Sequence, residues 1–167
     1  NPINIDLSLM RTTLVPEMLH AIARNQKKAI LDGRLFELGN IFVPKSLPLT
    51  EYPDERETLC VGVFGEKESF FTLKGIAETV ADTLCLDFTY EAATKTFLHP
   101  YQTAEIICEG ITVGYLGKVS YEIQDELDMR VPAYVMEIDL KLLSQWYGRS
   151  QTFEPLPKFA EDMYKCE

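Results

Sequence analysis

The sequence predicts an antiparallel α+β domain, and three observations carry the prediction. Strand-like runs outnumber helical ones, and they are joined by short turns more often than by crossover helices, which argues against a doubly wound parallel sheet. Two segments place apolar residues at helical spacing. The sequence is 46% hydrophobic over 167 residues, enough to bury the core of one ordinary domain.

Taken in order, residues 1–13 read as an irregular lead-in containing Pro2. Thr12 and Thr13 offer a capping oxygen and Pro16 suits a first turn, so a helix begins there. Val15, Met18, Leu19, Ile22 and Ala23 form its apolar face, and Arg24, Lys27 and Lys28 favour its C-terminal end. After the Asp32-Gly33 turn, residues 34–43 predict a strand. Residues 44–56, with three prolines, predict a loop, and 58–65 a buried strand. Residues 72–86 predict an amphipathic helix whose Leu73, Ile76, Val80 and Leu84 stripe should be buried. A short strand is expected at 87–92 and a hairpin over 103–119 turning at Glu109-Gly110. Ser120 caps a short helix, 133–138 is a strand, and Asp139 caps a helix running to Trp146. About six strands result. Residues 1–150 are expected to form the domain and 151–167 a tail leading out of it.

Composition excludes several functions. Sixteen basic against 26 acidic residues give a net charge of −10. A stand-alone nucleic-acid module needs a basic face, so the expected partners are proteins. Cys60, Cys85, Cys108 and Cys166 lack paired spacing, and His20 and His99 lie far apart, so no metal site is expected. Unpatterned cysteines suit a reducing cytoplasm. No apolar run is long enough to cross a membrane, and no secretory leader is visible. The start at Asn1 reads as a cut from a longer protein. No phosphate-cradling G-x-x-x-x-G-K-[ST] or G-x-G-x-x-G occurs, nor a G-x-S-x-G nucleophile turn. The carboxylates of Glu51–Glu57 and Glu122–Asp128 read as solvated faces. Gly114 and Gly117 read as a bulge or close backbone packing rather than a ligand approach.

Nine segments, in order, carry a resemblance. They are Asn1-Pro-Ile-Asn4 leading to Leu7-Ser-Leu-Met-Arg-Thr-Thr-Leu-Val-Pro16, then Ala23-Arg-Asn25, then Arg34-Leu-Phe-Glu-Leu-Gly-Asn-Ile-Phe42. Phe71-Thr-Leu-Lys-Gly75, Phe97-Leu-His-Pro100, Ala104-Glu-Ile106 and Gly114-Tyr-Leu-Gly117 follow. Tyr134-Val-Met-Glu-Ile-Asp-Leu140 and Phe153-Glu-Pro-Leu-Pro-Lys-Phe159 complete the set. Together they resemble the core of the bacterial-type phenylalanine–tRNA ligase β-subunit family. Tyr101-Gln102 departs from the Gly-Arg usual after His-Pro, the loop at 65–70 is short, and residues 160–167 do not match.

The resemblance implies a class II aminoacyl-tRNA synthetase-like sheet, a catalytic α subunit as partner in an (αβ)2 assembly, and ATP, Mg and tRNA handled only by the whole enzyme. It also implies where catalysis is missing. Class II chemistry uses an arginine in a Phe-Arg-x-Glu-like strand and a second one after a glycine-rich strand, because positioned guanidinium groups stabilise developing phosphoryl charge. Here Val43 and Lys45 replace the first arginine and its carboxylate, Val135 and Glu137 replace the glycines, and Leu140 falls at the second arginine. No catalytic, cofactor or metal residue is therefore expected. The expected function is a structural core of the ligase, with a stand-alone protein-binding domain as the alternative. Met18, Leu19, Ile22 and Arg24 are expected to face the α subunit and to be under-buried in this chain alone. Arg11 and Glu37, lone charges in apolar stretches, are expected to pair.

Overall fold

The computed structural model describes residues 10–48 and 50–146. The chain runs α1 (Val15–Lys27), β1 (Gly33–Val43), β2 (Asp54–Phe64), α2 (Phe70–Leu84), β3 (Phe88–Ala92), β4 (Leu98–Cys108), β5 (Ile111–Val119), α3 (Tyr121–Glu126), β6 (Ala133–Asp139) and α4 (Leu140–Leu143). The six strands form one sheet ordered β1-β2-β6-β5-β4-β3, and every pairing is antiparallel. After the β1–β2 hairpin, α2 carries the chain to the far edge. β3, β4 and β5 then return inward, and β6 closes the gap.

Two cores flank the sheet. On one face Leu14, Met18 and Ile22 of the α1 region pack with Cys60, Phe64 and Val135, and α3 adds Ile123. On the other, Leu73 and Ala77 of α2 pack with Val61, Ile106, Leu116 and Met136, and α4 adds Leu143. Gly62 makes the first face possible: a Cβ there would lie 2.8 Å from both Ile22 Cδ1 and Met18 Cγ, so α1 sits directly on β2.

Local chemistry explains the boundaries. Ser69 and Thr72 form a reciprocal capping box, so α2 starts two residues before the predicted position. It ends at Cys85, in the left-handed conformation at φ 57°. Glu109 and Gly110 both have positive φ, as a two-residue hairpin loop requires. Ser120 accepts from the Ile123 N–H to cap α3, and Asp139 accepts from the Leu142 N–H to cap α4. The α4 helix ends at Leu143 rather than continuing to Trp146, where a turn takes over. β2 begins at Asp54, inside the segment predicted as loop, because Asp54–Glu57 pair in register with β1 despite their charge. β4 likewise begins at Leu98, with a register shift between Leu98 and Thr103 that accommodates Pro100.

Two packing expectations are corrected. Met18, Leu19 and Ile22 are buried within this chain, because α1 lays its apolar face on the sheet; only Arg24 of the four is exposed. The buried stripe of α2 is Leu73, Ala77 and Ala81, whereas Ile76, Val80 and Leu84 are half-buried along its flank. The tail at 151–167 lies outside the described residues.

Candidate functional site

The positions singled out from the sequence occupy two levels of the sheet. Val43 pairs with Asp54 across the β1–β2 hairpin, and Asp54 accepts from Lys141 Nζ at 2.6 Å. Val43 and Leu140 are thus brought to one end of the sheet. Lys45 lies outside it, exposed and paired with Glu51 at 3.1 Å. Val135 is a fully buried core residue between Gly62 and Gly117. Glu137 lies one strand level further along, and the site organises around it.

Glu137 is a carboxylate buried in the middle of the sheet. Its cross-strand neighbours are Cys60 on β2 and Tyr115 on β5, and the same row continues to Glu37 on β1 and Glu105 on β4. The Leu14 N–H donates to Glu137 Oε1 at 2.7 Å, the Thr13 hydroxyl at 2.9 Å, and the Tyr115 hydroxyl to Oε2 at 2.8 Å. Leu14 is the N-cap of α1 and supplies no side-chain cap of its own. Glu137 therefore caps α1 from β6: its charge faces the positive end of the helix dipole and satisfies an orphan N–H. Burial raises the Cys60 thiol and the Tyr115 phenol far above their ordinary pKa values, and the Glu137 charge reinforces both shifts. Neither group is an activated nucleophile or acid. Lys95 Nζ sits 4.8 Å from the centre of the Tyr115 ring, closing the row on the β4 side.

The lead-in is tied down beside this cluster. Arg11 Nη1 donates to Glu37 Oε1 at 2.8 Å, as the sequence led us to expect. The pair is about one-third exposed, so burial is not what enforces it. Arg11 is further held by its Nε–H to the Asn40 carbonyl.

At the Val43–Leu140 end a cavity of about 200 Å³ is bounded by Ile41, Arg56, Thr58, Tyr115, Glu137 and Asp139. Arg56, not singled out from the sequence, is the arginine here. Its Nε donates to Asp54 at 2.8 Å, and its Nη1 lies 3.3 Å from Asp139. Lys141 and then Arg56 hold the Asp54 carboxyl below its ordinary pKa. A nucleotide triphosphate needs cations with free donors and room for backbone approach. Here the guanidinium is held by two carboxylates, a third carboxylate borders the cavity, and the volume is small, so the residues do not fit ATP. Gly114 also lines this cavity, and close strand packing explains why it is glycine. A Cβ there would collide with the Glu137 carbonyl oxygen, and a register irregularity lies beside it between Ile106 and Ile107. Among the described residues no group of His, Cys, Asp and Glu is arranged to hold a metal ion, and no helix is long and apolar enough to cross a membrane.

Sequence reasoning treated Glu137 only as a missing glycine. The signal for its role was present: a lone carboxylate in the apolar run 133–138 must find partners. Gln26 was missed for the same reason. It is fully buried at the other end of α1, where it accepts from the Arg130 and Val131 N–H groups and donates to the Val131 carbonyl.

Comparison with known proteins agrees with this architecture. Residues 1–140 match the family described as the phenylalanyl tRNA synthetase beta chain CLM domain. The chain is 33% identical over 162 residues to the phenylalanine–tRNA ligase β subunit of Clostridium tetani, and 34% identical over 171 residues to that of Halalkalibacterium halodurans. Each alignment covers 95% of this chain but only 20% and 21% of the relative, so the chain spans about one-fifth of their length. A pyrrolysyl tRNA synthetase from Desulfitobacterium hafniense superimposes with a TM-score of 0.63 at 15% identity, over 81% of this chain and 49% of that one. That likeness bears on the fold: a class II synthetase-type antiparallel sheet flanked by helices.

Proposed function

Because the chain belongs to the phenylalanine–tRNA ligase β-subunit family, we propose that it serves as that subunit's non-catalytic core, a scaffold that packs against the catalytic α subunit. The observation that carries this reading is Glu137. The centre of the sheet, where a catalytic core would open towards substrate, is filled by a carboxylate whose bonds go to Thr13, Leu14 and Tyr115 of the same chain. The absence of arginine at Val43 and Leu140 points the same way. Residues 1–150 form the core in this reading and 151–167 lead out of it. In the whole enzyme, an (αβ)2 assembly in the cytoplasm, ATP, Mg, phenylalanine and tRNA are handled by other parts.

Burial of Met18, Leu19 and Ile22 narrows the contact with α to the solvent side of α1, where His20 and Arg24 are exposed. Co-expression with the ligase α subunit tests the reading. The chain should co-purify with α in a stable complex and add no ATP–pyrophosphate exchange of its own. Arg24→Glu should weaken the complex with the melting temperature unchanged, since surface substitutions typically stay within about 0.5 kcal/mol. Met18→Asp would instead unfold the chain and reports nothing about the interface. Failure of the wild-type chain to associate with α would favour the stand-alone protein-binding domain.

A further inference from the structure

We propose that an aromatic groove between the start of α2 and the β3–β4 edge binds a basic, proline-rich peptide segment of a protein partner, a role separate from the scaffold reading. The groove is a cavity of about 590 Å³. Rings from four elements line it: Phe70 and Phe71 on α2, Tyr90 on β3, Tyr101 on β4 and Tyr134 on β6. Two departures from the family pattern meet there. The short loop at 65–70 leads into Phe70 and Phe71, and Tyr101-Gln102 stands where Gly-Arg is usual. A ring thus replaces a bare backbone, and a neutral amide replaces a cation. The rings are held in place. Phe70 and Phe71 meet edge to face, 5.7 Å apart, at the capped start of α2. The Tyr101 N–H donates to His99 Nδ1 at 3.2 Å, and the two rings lie 6.1 Å apart. Yet Tyr101 is 92% exposed and Phe71 77%. Large rings fixed in water beside an apolar cavity mark a binding surface.

The occupant follows from the charge and the donors of the walls. Among the described residues no lysine, arginine or histidine lines the groove, which argues against a phosphate or carboxylate ligand. Glu91 is the charged residue of the lining, it faces Glu105 across the ladder, and no described cation pairs with it. Lys74, which reaches the Tyr90 ring at 4.7 Å, is bonded to Glu78. With a net charge of −10 on the chain, the complement is basic. The walls also hold donors without acceptors: the Tyr90 hydroxyl is buried with no partner among the described residues, and the exposed Tyr101 offers another. A polyproline II segment matches this surface. Its prolyl rings stack on aromatic side chains, its carbonyls make no internal hydrogen bonds, and its fixed conformation lowers the entropy lost on binding.

Fluorescence anisotropy of a labelled oligoproline peptide with an arginine at each end, titrated with the 167-residue chain, tests this. Saturable binding is expected. Tyr101→Ala and Phe71→Ala should each weaken it at least about tenfold, with thermal unfolding unchanged because both side chains are exposed. Tyr101→Gly/Gln102→Arg should abolish it, and Glu91→Gln should reduce its dependence on salt. No saturable binding, or binding that Tyr101→Ala and Phe71→Ala leave unchanged, would overturn the proposal. So would equal binding of the same peptide with glutamates at its ends, or tighter binding of oligouridylate, which would make the rings a stacking platform for single-stranded RNA. The α subunit is absent from this titration, so its outcome is independent of the scaffold reading.

Discussion

Glu137 draws two segments of the chain onto one buried carboxylate. A carboxylate inside a sheet is tolerated only when its oxygens are bonded, and three donors from two other elements supply this. Glu137→Ala leaves the Leu14 N–H and the Tyr115 and Thr13 hydroxyls unpaired. We expect a loss of about 2–4 kcal/mol in urea unfolding, with a smaller loss for Glu137→Gln, which keeps an acceptor. Tyr115 adds a pH signature. Its pKa is raised in the folded chain, first by burial and then by Glu137, so the folded state holds its proton more tightly than the unfolded state does. That stability is fully present below the ordinary tyrosine value of about 10 and is lost as pH rises above it. Tyr90 is raised in the same sense, to about 12, and contributes similarly. Tyr115→Phe should therefore be less stable than wild type near neutrality yet lose less on going to alkaline pH. Parallel pH curves for the two would remove Tyr115 from the account.

At the scale of elements, the sequence was most legible where chemistry is local. The Ser120 cap, the Asp139 cap and the Glu109-Gly110 turn each name their own geometry, and all three appear where expected. Boundaries failed where pairing overrides composition. Asp54–Glu57 are charged enough to read as loop, yet β1 provides a ladder for them. The face of α2 was placed correctly but not its depth, because periodicity gives direction and only the sheet beneath decides which flank is covered. Leu73→Ala should cost about 2–5 kcal/mol, whereas Leu84→Ala, half-buried on the flank, should cost less than about 2. Equal losses would mean that α2 is seated more deeply than described. α1 was misjudged for a related reason. Gly62, which lets it sink onto β2, is thirty-five residues past its end (62 against 27), and nothing in the helix itself records that contact.

At the scale of the whole molecule, the family and the fold were legible because nine segments occur in order over most of the chain. The candidate site was read from the sequence only as expected absences, of arginine at Val43 and at Leu140. That an arginine does stand nearby, held by Asp54 and Asp139, required the cross-strand register. On the synthetase-type sheet Glu137 caps a helix, Arg56 is held between Asp54 and Asp139, and the cavity beside them is about 200 Å³. Isothermal calorimetry of the chain with Mg·ATP tests this most directly. The account predicts no saturable heat up to millimolar nucleotide, with the chain's thermal unfolding unshifted. Saturable binding at micromolar nucleotide, abolished by Arg56→Ala, would contradict it, because Arg56 would then be a nucleotide ligand and the centre of the sheet a working site.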